Sequence, residues 1–200
     1  MSMKMKFVGA FALSVLAASG ADAAVTFDIS QSGADVVTTV SGTFDSTGLS
    51  GTGIPAGQRG VLGNIGFLIA GNRADQLIYY TGLANGPSFG NGTYTAATSS
   101  TGTSVGFRSD ASAFFIDSAY AMGPIAGSSV YAGTTLAAMG LTIGTYNFTI
   151  GGNSVTLNIG QMPAAAVPEP AAWAMMIVGM GMIGFALRRQ KVTTRVFYAA

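Results

Sequence analysis

The chain has 200 residues, and only 8% of them are charged, against about a quarter in an average soluble protein. It contains no cysteine and no histidine, which excludes disulfides, thiol chemistry and the commonest general base and metal ligand. Residues 24–162 contain six aspartates, three arginines, no glutamate and no lysine, so their net charge is near −3. An acidic region without a basic patch excludes nucleic acid as a partner.

The N-terminus has the pattern of an export signal. Two lysines precede an apolar core at residues 7–18, and the small residues Ala21 and Ala23 frame a cleavage site. We therefore predict a signal peptide over residues 1–23 and a mature chain that begins at Ala24. A retained anchor is the alternative, but the apolar core is shorter than the about 20 residues that span a bilayer.

Residues 24–160 have the pattern of an all-β domain. Short runs rich in β-branched and aromatic residues are separated by clusters of glycine, asparagine and serine. The runs lie at residues 25–30, 35–44, 64–70, 75–80, 103–109 and 112–117. Residues 145–159 alternate apolar and polar side chains on both sides of Gly151-Gly152, which predicts a hairpin with one buried face.

The number and spacing of these runs indicate the architecture. About ten short strands with glycine-rich turns predict a jelly-roll-like β-sandwich, with a closed barrel as the alternative. No amphipathic helix of convincing length precedes residue 162, and residues 46–60 are expected to form an irregular loop. Tyr79 and Tyr80 should point to opposite faces of one strand, so one of them belongs to the core.

Three short patterns resemble catalytic or cofactor motifs, and each fails on chemical grounds. Residues 102–106 match a nucleophile elbow around Ser104, but the chain has no histidine to activate it. Residues 44–48 resemble an aspartic-protease signature with one residue too many and no second copy, so Asp45 is expected to bond backbone N–H groups in a turn. Residues 179–184 match a dinucleotide fingerprint, but no βαβ unit follows. The sequence thus predicts no catalytic residue and no cofactor.

Two aspartates, Asp110 and Asp117, flank one predicted strand. With loop carbonyls they could hold a calcium ion, but the ligand spacing of calcium-binding motifs is missing. We predict that they are solvated strand-end residues and that the chain has no metal site.

The last forty residues change in character. Residues 161–170 are rich in proline and alanine and predict an extended linker. Residues 171–187 carry no charge and as a helix span about 26 Å, slightly less than the about 30 Å of a hydrocarbon core, so they predict a transmembrane helix in contact with membrane lipid. Trp173 would anchor its outer end, ahead of a basic cytoplasmic tail over residues 188–200. The predicted stop-transfer residues are Arg188, Arg189 and Lys191.

The start of this apolar segment carries a sorting sequence. Its motif residues are Pro168, Glu169, Pro170, Trp173 and Ala174. With the glycine-bearing apolar stretch and the arginines behind them, they resemble the PEP-CTERM sorting signal, in the PEPxxWA variant of exopolysaccharide-producing Gram-negative bacteria. The resemblance implies recognition by exosortase, a membrane-embedded cysteine peptidase that cuts near the Pro-Glu-Pro sequence. It also implies export across the inner membrane, transient anchoring, and a final place in the cell envelope, at the cell surface or outside the cell.

The resemblance extends beyond the motif. A C-terminal segment of this type is also labelled an ice-binding protein C-terminal domain, a label that describes the anchor and does not establish ice binding. Residues 41–49, 79–92 and 136–159 resemble ectodomains that recur in such proteins and have no established activity. A permanent single-pass anchor is the alternative to processing.

These observations predict an exported structural protein of the cell envelope or biofilm matrix, without catalytic activity. Two alternatives stay open. A module that binds extracellular polysaccharide or ice would use a flat, threonine-rich face, for which residues 91–103 are the candidate. A hydrolase built on aspartates alone would need two carboxylates about 5–9.5 Å apart.

Overall fold

Thirteen β-strands form the β domain in the computed structural model, which describes residues 23–160, 177–180 and 182. In chain order they are β1 (Ala24–Ser32), β2 (Asp35–Gly42), β3 (Gly51–Pro55), β4 (Gly60–Leu62), β5 (Phe67–Ala70), β6 (Gln76–Thr81), β7 (Thr95–Ala96), β8 (Ser99–Gly102), β9 (Val105–Arg108), β10 (Ala113–Asp117), β11 (Ile125–Tyr131), β12 (Gly144–Ile150) and β13 (Asn153–Ile159). A 3₁₀ turn at Gly63–Ile65 separates β4 from β5. The expected all-β fold is confirmed.

The first sheet has six strands in the order β12-β13-β1-β2-β11-β8. Its neighbouring strands are antiparallel except β1 and β13, which run parallel with Ile29 opposite Ile159. The period of two along β1 explains the burial of one face: Val25, Phe27 and Ile29 are inaccessible to solvent, and the residues between them are half-exposed.

The second sheet has seven antiparallel strands in the order β3-β6-β10-β9-β5-β4-β7. Its interior strand β10 is buried on both faces. Phe114 and Ile116 belong to the core between the sheets, whereas Ala113 and Phe115 belong to a smaller apolar cluster on the outer face. This second cluster explains why β10 is a continuous apolar run.

The main core lies between the two sheets. The ring of Phe107 on β9 is 5.3 Å from that of Phe27 in the first sheet, 4.6 Å from that of Phe148 and 6.1 Å from that of Phe89, measured between centroids. Ring pairs in edge-to-face and tilted arrangements add to the stabilisation that burial provides. Two sheets packed on one shared core are consistent with the expected β-sandwich.

Two local expectations are confirmed. Strands β12 and β13 form a hairpin around Gly151-Gly152, with Phe148 and Leu157 on its buried face. On β6, Tyr80 lies in the main core, while Tyr79 packs on the outer face with its ring 5.6 Å from that of Phe115.

Two strand expectations are wrong in part. Residues 46–60 are not a loop throughout, because β3 lies within them and pairs with β6 at the edge of the second sheet. The strand expected over residues 64–70 begins only at Phe67, because Gly66 adopts a left-handed φ of 62° that ends the 3₁₀ turn.

In the C-terminal segment, residues 177–180 and 182 are helical. Its large exposed apolar side chains are Ile177, Val178, Met180 and Met182. Among the residues with described positions, no helix has the length and hydropathy needed to cross a membrane. The predicted linker over residues 161–170 and most of the predicted span over residues 171–187 lie outside the described residues.

Candidate functional site

The sequence-predicted site residues lie mostly outside the described part of the chain. These are Ala21, Pro168, Glu169, Pro170, Trp173, Ala174, Arg188, Arg189 and Lys191. Ala23 is described, and its carbonyl oxygen accepts a hydrogen bond from the N–H of Ser154 over 3.0 Å. Cleavage after Ala23 would therefore place the mature N-terminus at the first residue of β1, an interior strand of the six-stranded sheet.

The C-terminal end of the β domain is also fixed to an interior strand. The N–H of Gly160 donates to the carbonyl oxygen of Ile29 over 2.8 Å, directly after β13. Strand β13 lies between β12 and β1. The described domain thus closes at Gly160, eight positions before Pro168.

Ser104, the centre of the nucleophile-like pattern, is buried in the residues just before β9. Its hydroxyl has no hydrogen-bond partner, and its carbonyl oxygen accepts from the N–H of Asp117 over 2.8 Å. A serine hydroxyl without a base beside it has no means of activation. The structure places the centre of this pattern in the buried interior.

The predicted turn role of Asp45 is confirmed. Its carboxylate accepts a hydrogen bond from the N–H of Thr47 over 2.8 Å. Hydrogen bonds from the side chain and the backbone of Thr47 lower the pKa of Asp45. Its own backbone N–H and C=O bond the buried side chain of Asn153, which ties this turn to the start of β13.

The other aspartates with described partners are held by single structural contacts. Asp110 forms a bidentate pair with Arg108, which lowers the pKa of that carboxyl group. Asp117 accepts from the N–H of Ala119 over 2.9 Å, at the end of β10. Across residues 23–160 and the few described beyond them, no group of three acidic, histidine or cysteine residues could hold a metal ion.

The outer face of the six-stranded sheet carries a continuous row of polar side chains, which we call the hydroxyl row. In register across the six strands it consists of Thr145, Asn158, Asp28, Thr39, Ser128 and Thr101. Thr145 donates to Asn158 over 2.9 Å, and Asn158 donates to Asp28 over 2.8 Å. These bonds hold one half of the row in fixed rotamers.

The hydroxyl row includes Thr101 from residues 91–103, the segment expected to provide a threonine-rich face. Of residues 91–103, only β8 belongs to the six-stranded sheet. The complete row combines residues from all six strands of the sheet, which span the β domain from β1 to β13. Each strand contributes one polar residue from its alternation of apolar and polar side chains. The spacing of threonines within one segment therefore could not reveal the row.

A groove that the sequence did not indicate lies beside the edge of the second sheet. It has a volume of about 360 Å³, and Arg59, Asn72, Arg73 and Ser99 are among the residues that line it. Arg59 is 8% exposed, whereas Arg73 is exposed. The only available signal was the rarity of cations, since the β domain has three arginines and no lysine.

The guanidinium of Arg59 is held by backbone carbonyl groups. Its Nε and Nη2 donate to the carbonyl oxygen of Asn72 over 3.1 and 3.0 Å, and its Nη1 donates to that of Gly57 over 2.6 Å. Burial and the nearby charge of Arg73 lower the pKa of Arg59. A guanidinium has five N–H groups, so two of those of Arg59 are not used in these hydrogen bonds.

Comparison with protein families matches residues 166–190 to the PEP-CTERM protein-sorting motif. This match covers the five motif residues quoted above and supports the resemblance drawn from the sequence. The motif indicates an exported protein that is sorted by exosortase, a membrane protein, to the cell envelope or surface of a Gram-negative bacterium. No curated protein and no solved structure matches the chain.

Proposed function

Because the chain carries the PEP-CTERM sorting motif, we propose that it is a non-catalytic structural protein of the cell envelope or biofilm matrix. Its jelly-roll-like β domain is exported, held briefly in the membrane by residues 171–187, and processed by exosortase near Pro168, Glu169 and Pro170. The single observation that carries this proposal is the motif at residues 166–190, placed directly after a domain that closes at Gly160.

The spacing between domain and motif supports processing. The residues from Gly160 to Pro168 can extend to roughly 26 Å, at about 3.3 Å per residue. That length lets a membrane peptidase reach the motif without opening the β-sheet. The exposed apolar side chains of Ile177 and Met180 fit a segment whose surroundings are lipid.

The chemistry of the β domain supports a non-catalytic role. Histidine and cysteine are missing from the sequence, and Asp45, Asp110 and Asp117 each have a structural hydrogen bond. A hydrolase would instead need two carboxylates that share one cleft.

Mass spectrometry of the mature protein tests the processing. In a strain with active exosortase, we expect no peptide from the region between Trp173 and Arg189 in the mature form. In the same strain without exosortase, those peptides should remain. Peptides from this region in the mature protein of the active strain would contradict the proposal.

A second candidate function is binding of an extracellular polysaccharide or of ice, and the hydroxyl row favours it. The polar side chains of the row lie in register across six strands and present donors and acceptors at the regular spacing of the strands, about 4.8 Å. Glycan arrays and an ice-recrystallisation assay test this candidate. Thr39→Lys should abolish any activity, and Thr52→Lys on β3, also exposed, is the matched control. No activity in either assay leaves the structural role.

A further inference from the structure

The groove beside Arg59 and Arg73 concentrates positive charge in an acidic domain. These are two of the three arginines among residues 24–160, where aspartates outnumber arginines by six to three. The third, Arg108, is paired with Asp110. Within the described residues, neither Arg59 nor Arg73 forms an ion pair. An acidic domain thus places two cations that form no described ion pair on one concave surface, where low-dielectric walls strengthen their attraction for an anion.

The loop that holds Arg59 is itself fixed. Gly71 has a φ of 89°, and a Cβ atom there would collide with the carbonyl oxygen of Thr103. The N–H of Gly71 donates to the hydroxyl of Ser129 over 3.3 Å, and the N–H of Asn72 donates to the carbonyl oxygen of Gly102 over 2.9 Å. The residues that lead into the Asn72 carbonyl group, which orients the Arg59 guanidinium, are therefore anchored. Such a guanidinium loses little conformational entropy when it binds an acceptor.

Apart from Arg59 and Arg73, the residues that line the groove are uncharged. The Thr98 hydroxyl donates a hydrogen bond to the carbonyl oxygen of Val130. Ser99 and Gln58, by contrast, are exposed at the groove. A volume of about 360 Å³ falls in the range of sites for small organic ligands, about 300–1,000 Å³. The groove therefore combines two cationic side chains with neutral hydrogen-bonding groups.

We propose that this groove binds an acidic polysaccharide through the carboxylate of a uronate residue. Arg59 donates its two remaining N–H groups to the carboxylate, Arg73 adds a second charge-assisted contact, and Ser99 and Gln58 bond the sugar hydroxyls. The proposal assigns a ligand class to a groove that neither the sorting role nor the hydroxyl row uses.

Calorimetric titration of the full chain in detergent tests the proposal. The probe is an oligogalacturonate, with a malto-oligosaccharide of equal length as the uncharged comparator and inorganic phosphate as the free anion. We expect binding of the oligogalacturonate alone, weakened by added salt. Arg73→Glu should reduce the affinity at least about tenfold, which is the effect of losing one hydrogen bond to a charged group.

Arg108→Glu is the matched control, because it makes the same charge change at another exposed site. Its affinity should stay within about twofold of the parent chain, since Arg108 is not among the residues that line the groove and exposed charges are screened by salt. Equal losses in both variants would overturn the groove assignment, as would no binding of oligogalacturonate. Equally tight binding of malto-oligosaccharide or of phosphate would overturn the uronate assignment. Sorting is measured separately by mass spectrometry, so failure of one proposal is distinguishable from failure of the other.

Discussion

The N–H of Gly160 and the carbonyl oxygen of Ile29 form a hydrogen bond of 2.8 Å, which closes the β domain next to its first strand. Strand β13 contributes Val155, Leu157 and Ile159 to the core, each fully buried. Burial of three such side chains contributes about 5–9 kcal/mol, which is similar to the whole stability of a domain, about 5–15 kcal/mol. C-terminal processing that leaves a folded product must therefore act after Gly160.

This placement predicts opposite results for two truncations. A chain that ends at residue 162 should be exported and folded, with a β-sheet circular dichroism spectrum. A chain that ends at residue 152 lacks β13 and should be unfolded and quickly degraded. Circular dichroism and limited proteolysis distinguish them, and a protease-resistant product from the shorter chain would contradict the prediction.

The sequence revealed those strands that have one buried face and one exposed face. In β1 and β13, apolar residues alternate with threonine, serine, asparagine and aspartate, and this pattern follows from the pleat of a half-buried strand. Strand β3 has no such pattern. Its residues are exposed except for the half-buried Ile54, so pairing with β6 alone determines its conformation.

The hydroxyl row and the groove could not be predicted from the sequence, because strand pairing and not a local pattern brings their residues together. The hydroxyl row and the groove of Arg59 and Arg73 each combine residues from distant strands and loops. Only the pairing of strands brings Asp28 beside Asn158, which are 130 positions apart. The sorting motif was readable because its residues lie within one short segment and are recognised as a linear sequence.

Asn153 is predicted to be a stability determinant. Its buried side chain accepts from the N–H of Asp45 and donates to the carbonyl oxygens of Asp45 and Ile150. Asn153→Leu removes these three hydrogen bonds inside a buried site, so we expect a loss of about 3 kcal/mol and a fall in melting temperature of about 10 °C. Ser154→Ala, at the exposed neighbouring position, should change stability by less than about 0.5 kcal/mol. Equal melting temperatures for the two variants would refute this role.

Tyr131 predicts how the domain responds to alkaline pH. Burial raises the pKa of Tyr131 to about 12, and the nearby Thr38 side chain offsets part of this rise without reaching hydrogen-bond geometry. Because folding raises this pKa, the contribution of Tyr131 to the free energy of unfolding is complete below about pH 10. That contribution is lost as pH rises towards about 12, because the tyrosine ionises first in the unfolded chain. The expected loss is about 2–3 kcal/mol over this interval.

The variant Tyr131→Phe isolates this effect. It removes a buried hydroxyl that has no partner, so stability at neutral pH should be unchanged or raised by about 1 kcal/mol. Its stability should decline less than that of the parent between about pH 10 and pH 12. Urea unfolding followed by circular dichroism measures both quantities. The same alkaline decline in both proteins would exclude Tyr131 as its source.

The sorting motif should be separable from the stability of the β domain. Pro168 and Glu169 lie within the matched residues 166–190, beyond the last strand. Pro168→Ala combined with Glu169→Ala should abolish processing and leave the melting temperature within about 1 °C of the parent, because no described packing contact is changed.

The matched control is Gln161→Ala with Pro163→Ala, which alters the same predicted linker outside the motif and should be processed normally. Mass spectrometry of the mature chain and thermal unfolding provide the two readouts. A large fall in melting temperature would show that the segment supports the fold, and normal processing of the Pro168 and Glu169 variant would show that exosortase does not read these residues.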